Sequence, residues 1–427
     1  MAAFSVLLIG HESLTVQCGR MLIEAGHRIE GVVSGDPDVT GWAGSAGLVV
    51  IAPGKGLADR LEEVEFDWLV SAANLTIIPD RVLSRARRGA VNFHDGPLPA
   101  YAGLNAPVWA LLNGEERHGV TWHLIEGGID EGRILAALPV EIGAGETAFS
   151  LNAKCYAAGI ESFATVIEQL GSESPDAAHQ DLSKRSYFGR ADRPEAAGLI
   201  DLSMSAAKVA AFVRALDHGA YDNPLVLPKV LYRGKVICVR QAEVVPGDGA
   251  TGLVLKTGTD EIVVACGEGA VSLFGLECLN GAKVPETGQM LDLLTSSDRE
   301  ALSEAMAPVA GSEPFWRDRL DNLAPAQIGL PGLGGQEVSF DAAIDAGRDR
   351  AFAALGTICA RHAVKPVDLA LAKPSETPCI LDWAPVRFDP DGPIARAETS
   401  FADEIAAASA RAGLAADGVP RDVRHCH

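Results

Sequence analysis

The chain opens with an apolar run, Ser5 to Ile9 (SVLLI), closed by Gly10. A run of that length, ended by glycine, predicts a strand buried on both faces. From Leu14 to Glu24 the apolar residues, Val16, Met21 and Leu22 among them, predict a helix that Gly26 stops. RIEGVVS (28–34), Leu48–Ile51, FDWLVSA (66–72) and Gly89–His94 predict four further strands. Strands alternating with helical segments imply βαβ units. The expected first half is therefore an α/β, Rossmann-like, doubly wound and mostly parallel sheet. In such sheets ligands bind beyond the carboxyl ends of the strands.

The pattern continues with a helix at Ala106–Asn113, capped by Gly114, and a strand at His118–Ile125. In that strand Val120, Trp122 and Leu124 face one way and Thr121 and His123 the other. Glu126 to Gly132 (EGGIDEG) predicts a loop whose backbone can approach a flat ligand closely. A long helix from Thr147 to Leu170 closes a first domain, 1–170. Residues 171–198 are polar and mixed, which predicts a connector. A short helix near Ser205–Leu216 follows, and from Val230 to about Leu291 short strands are separated by glycine. That pattern predicts a small OB-like β-barrel in a domain at 199–298. Residues 299–427 are alanine-rich and then proline-containing, read as a helical C-terminal extension.

Composition narrows the class. The 427 residues are 48% hydrophobic and 22% charged, with a formal net charge of −21. That charge opposes general nucleic-acid binding, which needs a positive footprint over phosphates. The one dense basic cluster, Arg81, Arg85, Arg87 and Arg88, reads as a solvated helix face. No pair of the eight cysteines has CxxC spacing, so reduced thiols in a cytoplasmic protein are expected. The terminal His425-Cys426-His427 reads as a frayed tail. No basic n-region or long apolar run suggests a leader or a membrane span. Gly10-His11-Glu12-Ser13 lacks GxGxxG, Gly54-Lys55 is followed by Gly56, and HExxH and GxSxG elbows do not occur. A nicotinamide cofactor, a phosphate loop, a zinc site and a serine hydrolase therefore all lack support, and no metal is expected.

What remains is Asn92-Phe93-His94, followed by Asp130 in Ile129-Asp130-Glu131-Gly132. Two apart on an extended strand end, Asn92 and His94 face the same way. An amide can hold a developing oxyanion, an imidazole can take or orient a proton, and a carboxylate can fix the imidazole's tautomer. The set suits acyl transfer to an amine without a covalent enzyme intermediate. As isolated residues, the three equally suit a strand-end turn with structural polar groups.

Several further positions fall in register: Pro99, Gly103, Asn113-Gly114, Gly119-Val120-Thr121 and Asp130-Glu131-Gly132. With Asn92-Phe93-His94 they resemble the folate-dependent formyltransferase family, which includes methionyl-tRNA, glycinamide ribonucleotide and amino-sugar formyltransferases. The resemblance covers about residues 4–295. It implies a catalytic triad at Asn92, His94 and Asp130, and 10-formyltetrahydrofolate as donor. The pterin would then sit between the loops at Asn74–Pro79 and Glu126–Asp130, with Asn74, Leu75, Ile77, Glu126, Gly128 and Ile129 as binding residues.

HDGPLPAYAGLNAPVWALLNGE, HGVTWH, LNAKCY and ALDHGAYDNPLVLPK look most like formylation domains of nonribosomal peptide synthetases and hybrid assembly lines. A carrier-bound or small amino acid is thus the expected acceptor, peptide-synthetase modules are possible partners, and neither nucleic acid nor membrane is expected. Methionyl-tRNA formyltransferases carry Ser-Leu-Leu-Pro where this chain has Gly96-Pro97-Leu98-Pro99. They also carry a basic insertion where 35–54 holds neither Arg nor, before Gly54, Lys. An amino-sugar acceptor, hydrolysis of the donor, and a non-catalytic recruitment module stay open. The tail around Phe315–Leu320 and Val338–Phe340 weakly resembles a condensation-domain fragment that lacks HHxxxDG, and a linker or docking segment reads equally well.

Overall fold

In the computed structural model, residues 3–279, 281–321 and parts of 367–415 are described. Packing divides the described chain into two units, Met1–Arg190 with Ala211–Pro224, and Ala191–Ala210 with the residues from Leu225 onward.

The first unit is built on a seven-stranded sheet. Its strands are β1 (Ser5–Gly10), β2 (Arg28–Val33), β3 (Val50–Ile51), β4 (Trp68–Ala72), β5 (Gly89–His94), β7 (Arg117–Leu124) and β8 (Ile134–Glu141), in the order β3-β2-β1-β4-β5-β7-β8. The first five run parallel, β7 runs against β5, and β8 pairs antiparallel with β7 and so returns to the common direction. A two-residue strand, β6 (Ala102–Gly103), pairs in parallel with β9 (Tyr187–Phe188). The helices are α1 (Glu12–Glu24), α2 (Pro37–Ser45), α3 (Leu57–Arg60), α4 (Asp80–Leu83), α5 (Ala106–Leu112) and α6 (Ala148–Leu170).

Alternation along β1 shows the double winding directly. Val6 and Leu8 enter a core with Leu14 and Leu22 of α1 and Leu151, Phe163 and Val166 of α6. Leu7 and Ile9 enter a second core with Leu57, Leu61 and Val82 on the opposite face. Because both faces are covered, these strands read as continuous apolar runs.

Two of the longer elements of this unit were not foreseen. Helix α2 starts at a capping Asp36, whose Oδ1 accepts from Asp38 N at 2.8 Å and Val39 N at 3.1 Å. Strand β8 was hidden by its alanines and Pro139. It is an edge strand, where a proline is tolerated. The basic cluster is spent locally: Arg81 pairs with Asp59, Arg87 with Glu65, and Arg88 lies over the Trp68 ring.

In the second unit the glycine-punctuated region forms two antiparallel sheets. The first joins β10 (Lys229–Tyr232), β11 (Lys235–Cys238) and β16 (Glu277–Cys278). The second joins β12 (Gln241–Val245), β15 (Ala270–Phe274), β14 (Glu261–Ala265) and β13 (Val254–Thr257). The division between the units falls within helix α7 (Ala206–Ala215), after Ala210.

Helix α8 (Ser296–Asp321) buries Leu302, Met306, Val309, Trp316 and Leu320 at helical spacing. Its Ser303 Oγ accepts from Ala196 N at 2.8 Å and its Arg299 donates to the Leu199 carbonyl at 3.1 Å. The beginning of the expected extension is thus built into this unit. Further along, beyond its helix, the extension also holds strands. β17 (Val367–Ala372) and β18 (Trp383–Phe388) form an antiparallel pair, and Val367, Leu369 and Leu371 show the strand period that marks it. Val338–Phe340 and the terminal His425-Cys426-His427 lie outside the described residues. Among the described residues no helix is long and apolar enough to cross a membrane.

Candidate active site

The end of β5 places the chemistry. Its Phe93 turns into the core against Trp122 at 5.1 Å between ring centroids, and a Cβ on Gly159 would lie 2.6 Å from its ring. Strand alternation therefore sends Asn92 and His94 to the opposite face. Antiparallel pairing then sets His123 of β7 directly beside Asn92 and Thr121 beside His94.

Four polar side chains meet there. His94 Nδ1 is 3.6 Å from Asp130 Oδ2, and His123 Nε2 is 3.4 Å from Asp130 Oδ1. Asn92 Nδ2 lies 3.3 Å from His123 Nε2. The remaining ring nitrogens face main-chain carbonyls: His94 Nε2 to Tyr101 O and His123 Nδ1 to Leu124 O, each at 2.8 Å. A carbonyl can only accept, so both of those nitrogens carry hydrogen. The free edge of His123 thus accepts from Asn92 when unprotonated and donates to Asp130 when it holds a second proton.

Asp130 sits on the loop between β7 and β8 with φ of 57°. Gly103 N donates to its Oδ2 at 2.8 Å. Burial alone would raise the carboxyl's pKa. The His123 contact, the charge of His94 and the Gly103 N–H outweigh burial and hold it down to about 2. Gly132 lets this loop close, because a Cβ there would lie 1.7 Å from the Leu124 carbonyl oxygen. Gly96 has a similar reason: a Cβ would stand 2.6 Å from His94 Nε2. The turn between is pinned from β7. His118 Nε2 donates to Asp95 O at 2.7 Å, and Thr121 Oγ1 donates to Gly96 O at 2.8 Å. Burial pushes the His118 imidazole below its usual range despite the nearby Asp95.

The six residues expected at the donor fall on two loops. Leu75 is 70% exposed, Ile77 76% and Ile129 47%, so three apolar side chains stand in solvent beside polar loop backbone. The Asn74 side chain is occupied within its own loop: Nδ2 donates to Thr76 O at 2.9 Å and Oδ1 accepts from Thr76 N at 3.1 Å. Glu126 is bridged by Arg133 through Nε at 3.1 Å and a terminal nitrogen at 2.8 Å. Gly128 N donates to Glu131 Oε2 at 3.2 Å. At Asn74 and Glu126 the side chains are thus committed, and what each loop offers a flat ring is backbone and apolar wall.

His123 was placed on the correct strand face from sequence but given no role. The signal that could have found it was its register opposite Asn92, which requires knowing that β5 and β7 pair. Among the described residues no three His, Cys, Asp or Glu side chains are grouped to hold a metal ion.

The model of the formyl transferase family matches residues 54–167. The chain is 32% identical over 226 residues to the methionyl-tRNA formyltransferase of Dechloromonas aromatica, covering 53% of this chain and 70% of that protein. To the methionyl-tRNA formyltransferase of Citrifermentans bemidjiense it is 28% identical over 309 residues, 68% of this chain and 94% of that one. The sugar 3N-formyl transferase WlaRD, solved in the presence of dTDP and 5-N-formyl-THF, aligns with TM-score 0.51 and 18% identity, over 66% of this chain and all of that one. An N-formyltransferase from Helicobacter canadensis, in complex with folinic acid and dTDP-3-aminofucose, aligns with TM-score 0.50 and 16% identity over 65% of this chain. At those identities the likeness to the two structures is one of fold.

Proposed function

The chain belongs to the folate-dependent formyltransferase family, and from that premise we propose that it formylates the amine of a small or carrier-bound amino acid in assembly-line peptide biosynthesis. The donor would be 10-formyltetrahydrofolate, which supplies an activated formyl group. The observation that carries the reading is the meeting of Asn92, His94, His123 and Asp130 at one strand end. The exposed Leu75, Ile77 and Ile129 suit the faces of a pterin ring, and the backbone of the 126–132 loop suits its edge.

In this reading Asn92 Nδ2 donates to the formyl oxygen as negative charge develops, a contribution of about 3–4 kcal/mol for one well-aimed donor. His94 Nε2 is taken by Tyr101 O and its Nδ1 faces Asp130, so the ring has no spare N–H to aim at that oxygen and acts by orienting Asp130 and by polarity beside the oxygen. Asp130, ionised and aimed by His123 and Gly103, takes the proton of the attacking amine directly or through water, and that proton passes to N10 of tetrahydrofolate as the bond between N10 and the formyl carbon breaks.

The acceptor is argued from charge. A net −21 opposes a polyanionic partner. The names of the curated relatives favour a second reading, a methionyl-tRNA acceptor, whose reacting amine is chemically the same. One experiment separates the two. The protein is incubated with 10-formyltetrahydrofolate and a panel of acceptors: carrier-bound amino acids, free amino acids, methionyl-tRNA and amino-sugar nucleotides. Mass spectrometry is expected to show a gain of one CO on the amino acids. A gain on methionyl-tRNA alone overturns the acceptor, and no gain on any amine overturns the transfer reading.

A further inference from the structure

The polar stretch after α6, expected to be a connector, wraps the loop that bears Asp130. Ala178 and Ile134 exchange N–H···O bonds of 2.8 Å each, which fastens the stretch to the start of β8. Two residues on, Gln180 Nε2 donates both to Asp130 O at 2.9 Å and to Gly132 O at 2.6 Å. Arg185 donates to Ile129 O at 2.9 Å. Ser186 Oγ accepts from Tyr101 N at 2.8 Å, and Leu104 N donates to Phe188 O, also at 2.8 Å. The stretch thus grips the Asp130 loop on one side. On the other it grips the Tyr101–Leu104 segment, which supplies the carbonyl partner of His94 and the Gly103 N–H on Asp130.

We infer that Gln180 is a positioning residue for formyl transfer, holding Asp130 in its left-handed conformation so that one carboxylate faces both imidazoles. The inference rests on the proposed transfer reaction for its kinetics, not for its geometry. Two features single out Gln180 within the strap. Its single amide nitrogen spans the carbonyls on either side of Glu131, so both hydrogens are used. Among the described residues its Oε1 is buried without a hydrogen-bond partner. An amide whose oxygen meets no protein donor is retained for its own donors, since a buried acceptor without a protein partner is a cost. Without those donors nothing at Gln180 opposes relaxation of Asp130 from φ 57°. A carboxylate that swings away leaves the Gly103 N–H and both imidazoles without it.

The test compares the full chain with Gln180→Ala and Gln180→Glu. Glutamate keeps the size, but when ionised it faces two carbonyls with acceptors only. At pH 8 both variants should lose kcat by on the order of ten- to a hundred-fold, the scale of a small misplacement of a reacting group. The KM for the donor should stay within about three-fold by the same argument, since the exposed apolar walls are untouched. As pH falls toward 5, Gln180→Glu alone should recover part of its kcat, because a protonated carboxyl can donate to one carbonyl. Deuterium exchange at the Gly103 amide should quicken about ten-fold in both variants at pH 8, reporting loss of its carboxylate acceptor. Wild-type kcat in both variants overturns the inference, and so does unchanged Gly103 exchange, whatever happens to kcat. If the unsubstituted protein transfers no formyl group to any acceptor, the functional reading has failed, and Gly103 exchange still decides the clamp.

Discussion

Each unit has, among its non-glycine residues in the left-handed region, a turn under a side chain that donates to main-chain carbonyl oxygen. In the first unit it is Asp130, φ 57°, under Gln180. In the second it is the pair Ala196 and Ala197, φ 49° and 53°, under Lys229, whose ammonium is buried and donates to Ala197 O at 2.6 Å. Around the alanines the hydrogen bonds are short and lead to main chain: 2.8 Å from Ala196 N to Ser303 Oγ and 3.1 Å from Arg299 to Leu199 O. Around Asp130 the side chains are titratable, and two imidazoles meet the carboxylate at 3.4 and 3.6 Å. The comparison teaches that a strained turn does not by itself mark chemistry. A strained alanine presents a methyl group and fixes a chain path, whereas a strained aspartate presents a carboxylate to groups that can exchange protons with it.

Four measurements break or sharpen that contrast. The largest effect is expected at Trp316, fully buried on the helix that braces the alanine turn. Trp316→Ala should cost about 3–5 kcal/mol in urea unfolding, with the folded fraction still active. An active-site defect per folded molecule would show that the two turns are not independent. Next come Asn92→Ala, His94→Ala and Asp130→Ala. Each should lower kcat per folded molecule by on the order of 10² to 10³, about 3–4 kcal/mol, and Asp130→Ala should lower Tm as well, since the fold stabilises its carboxylate. Near wild-type turnover in all three would end the functional contrast.

The third concerns pH. The Asp130 carboxyl is depressed to about 2 from an ordinary 3.8. A depressed acid stabilises the fold above its unfolded pKa and loses that contribution as pH falls through the folded one. Unfolding free energy should therefore drop by about 2 kcal/mol more in the wild type than in Asp130→Asn between pH 5 and pH 2. Parallel curves would mean the carboxylate is not held by its neighbours. The smallest effect is Lys229→Met, which keeps the stem and removes one donor to Ala197 O. About 1 kcal/mol is expected, the low end for a carbonyl losing one partner, without any change in kcat.

Much of the first unit was legible because the physics is local. A strand buried on both faces must be apolar throughout, so β1, β4 and β5 announce themselves, and β5 ends on Asn92 and His94. Strand β8 was not legible, because alanine and proline carry no clear period. His123 was seen as a strand residue, yet its partner is Asn92, 31 positions earlier, and only pairing between strands reveals that. The stretch at 171–198 is polar and mixed and therefore reads as a connector. Its polarity turns out to be hydrogen bonding to loops around Asp130 and Tyr101.

By itself, then, the sequence determined that strands alternate with helices, that polar residues capable of acyl transfer end the fifth strand, and that a glycine-rich loop holds a carboxylate. Those properties depend on neighbours in the chain and on the two-residue and 3.6-residue periods. Tertiary structure alone decided that Asp130 faces two histidines rather than one, that His94 already has partners on both ring nitrogens, and that Gln180 braces the loop. Each of those depends on distances between segments far apart in sequence, which register and loop closure set and composition does not encode.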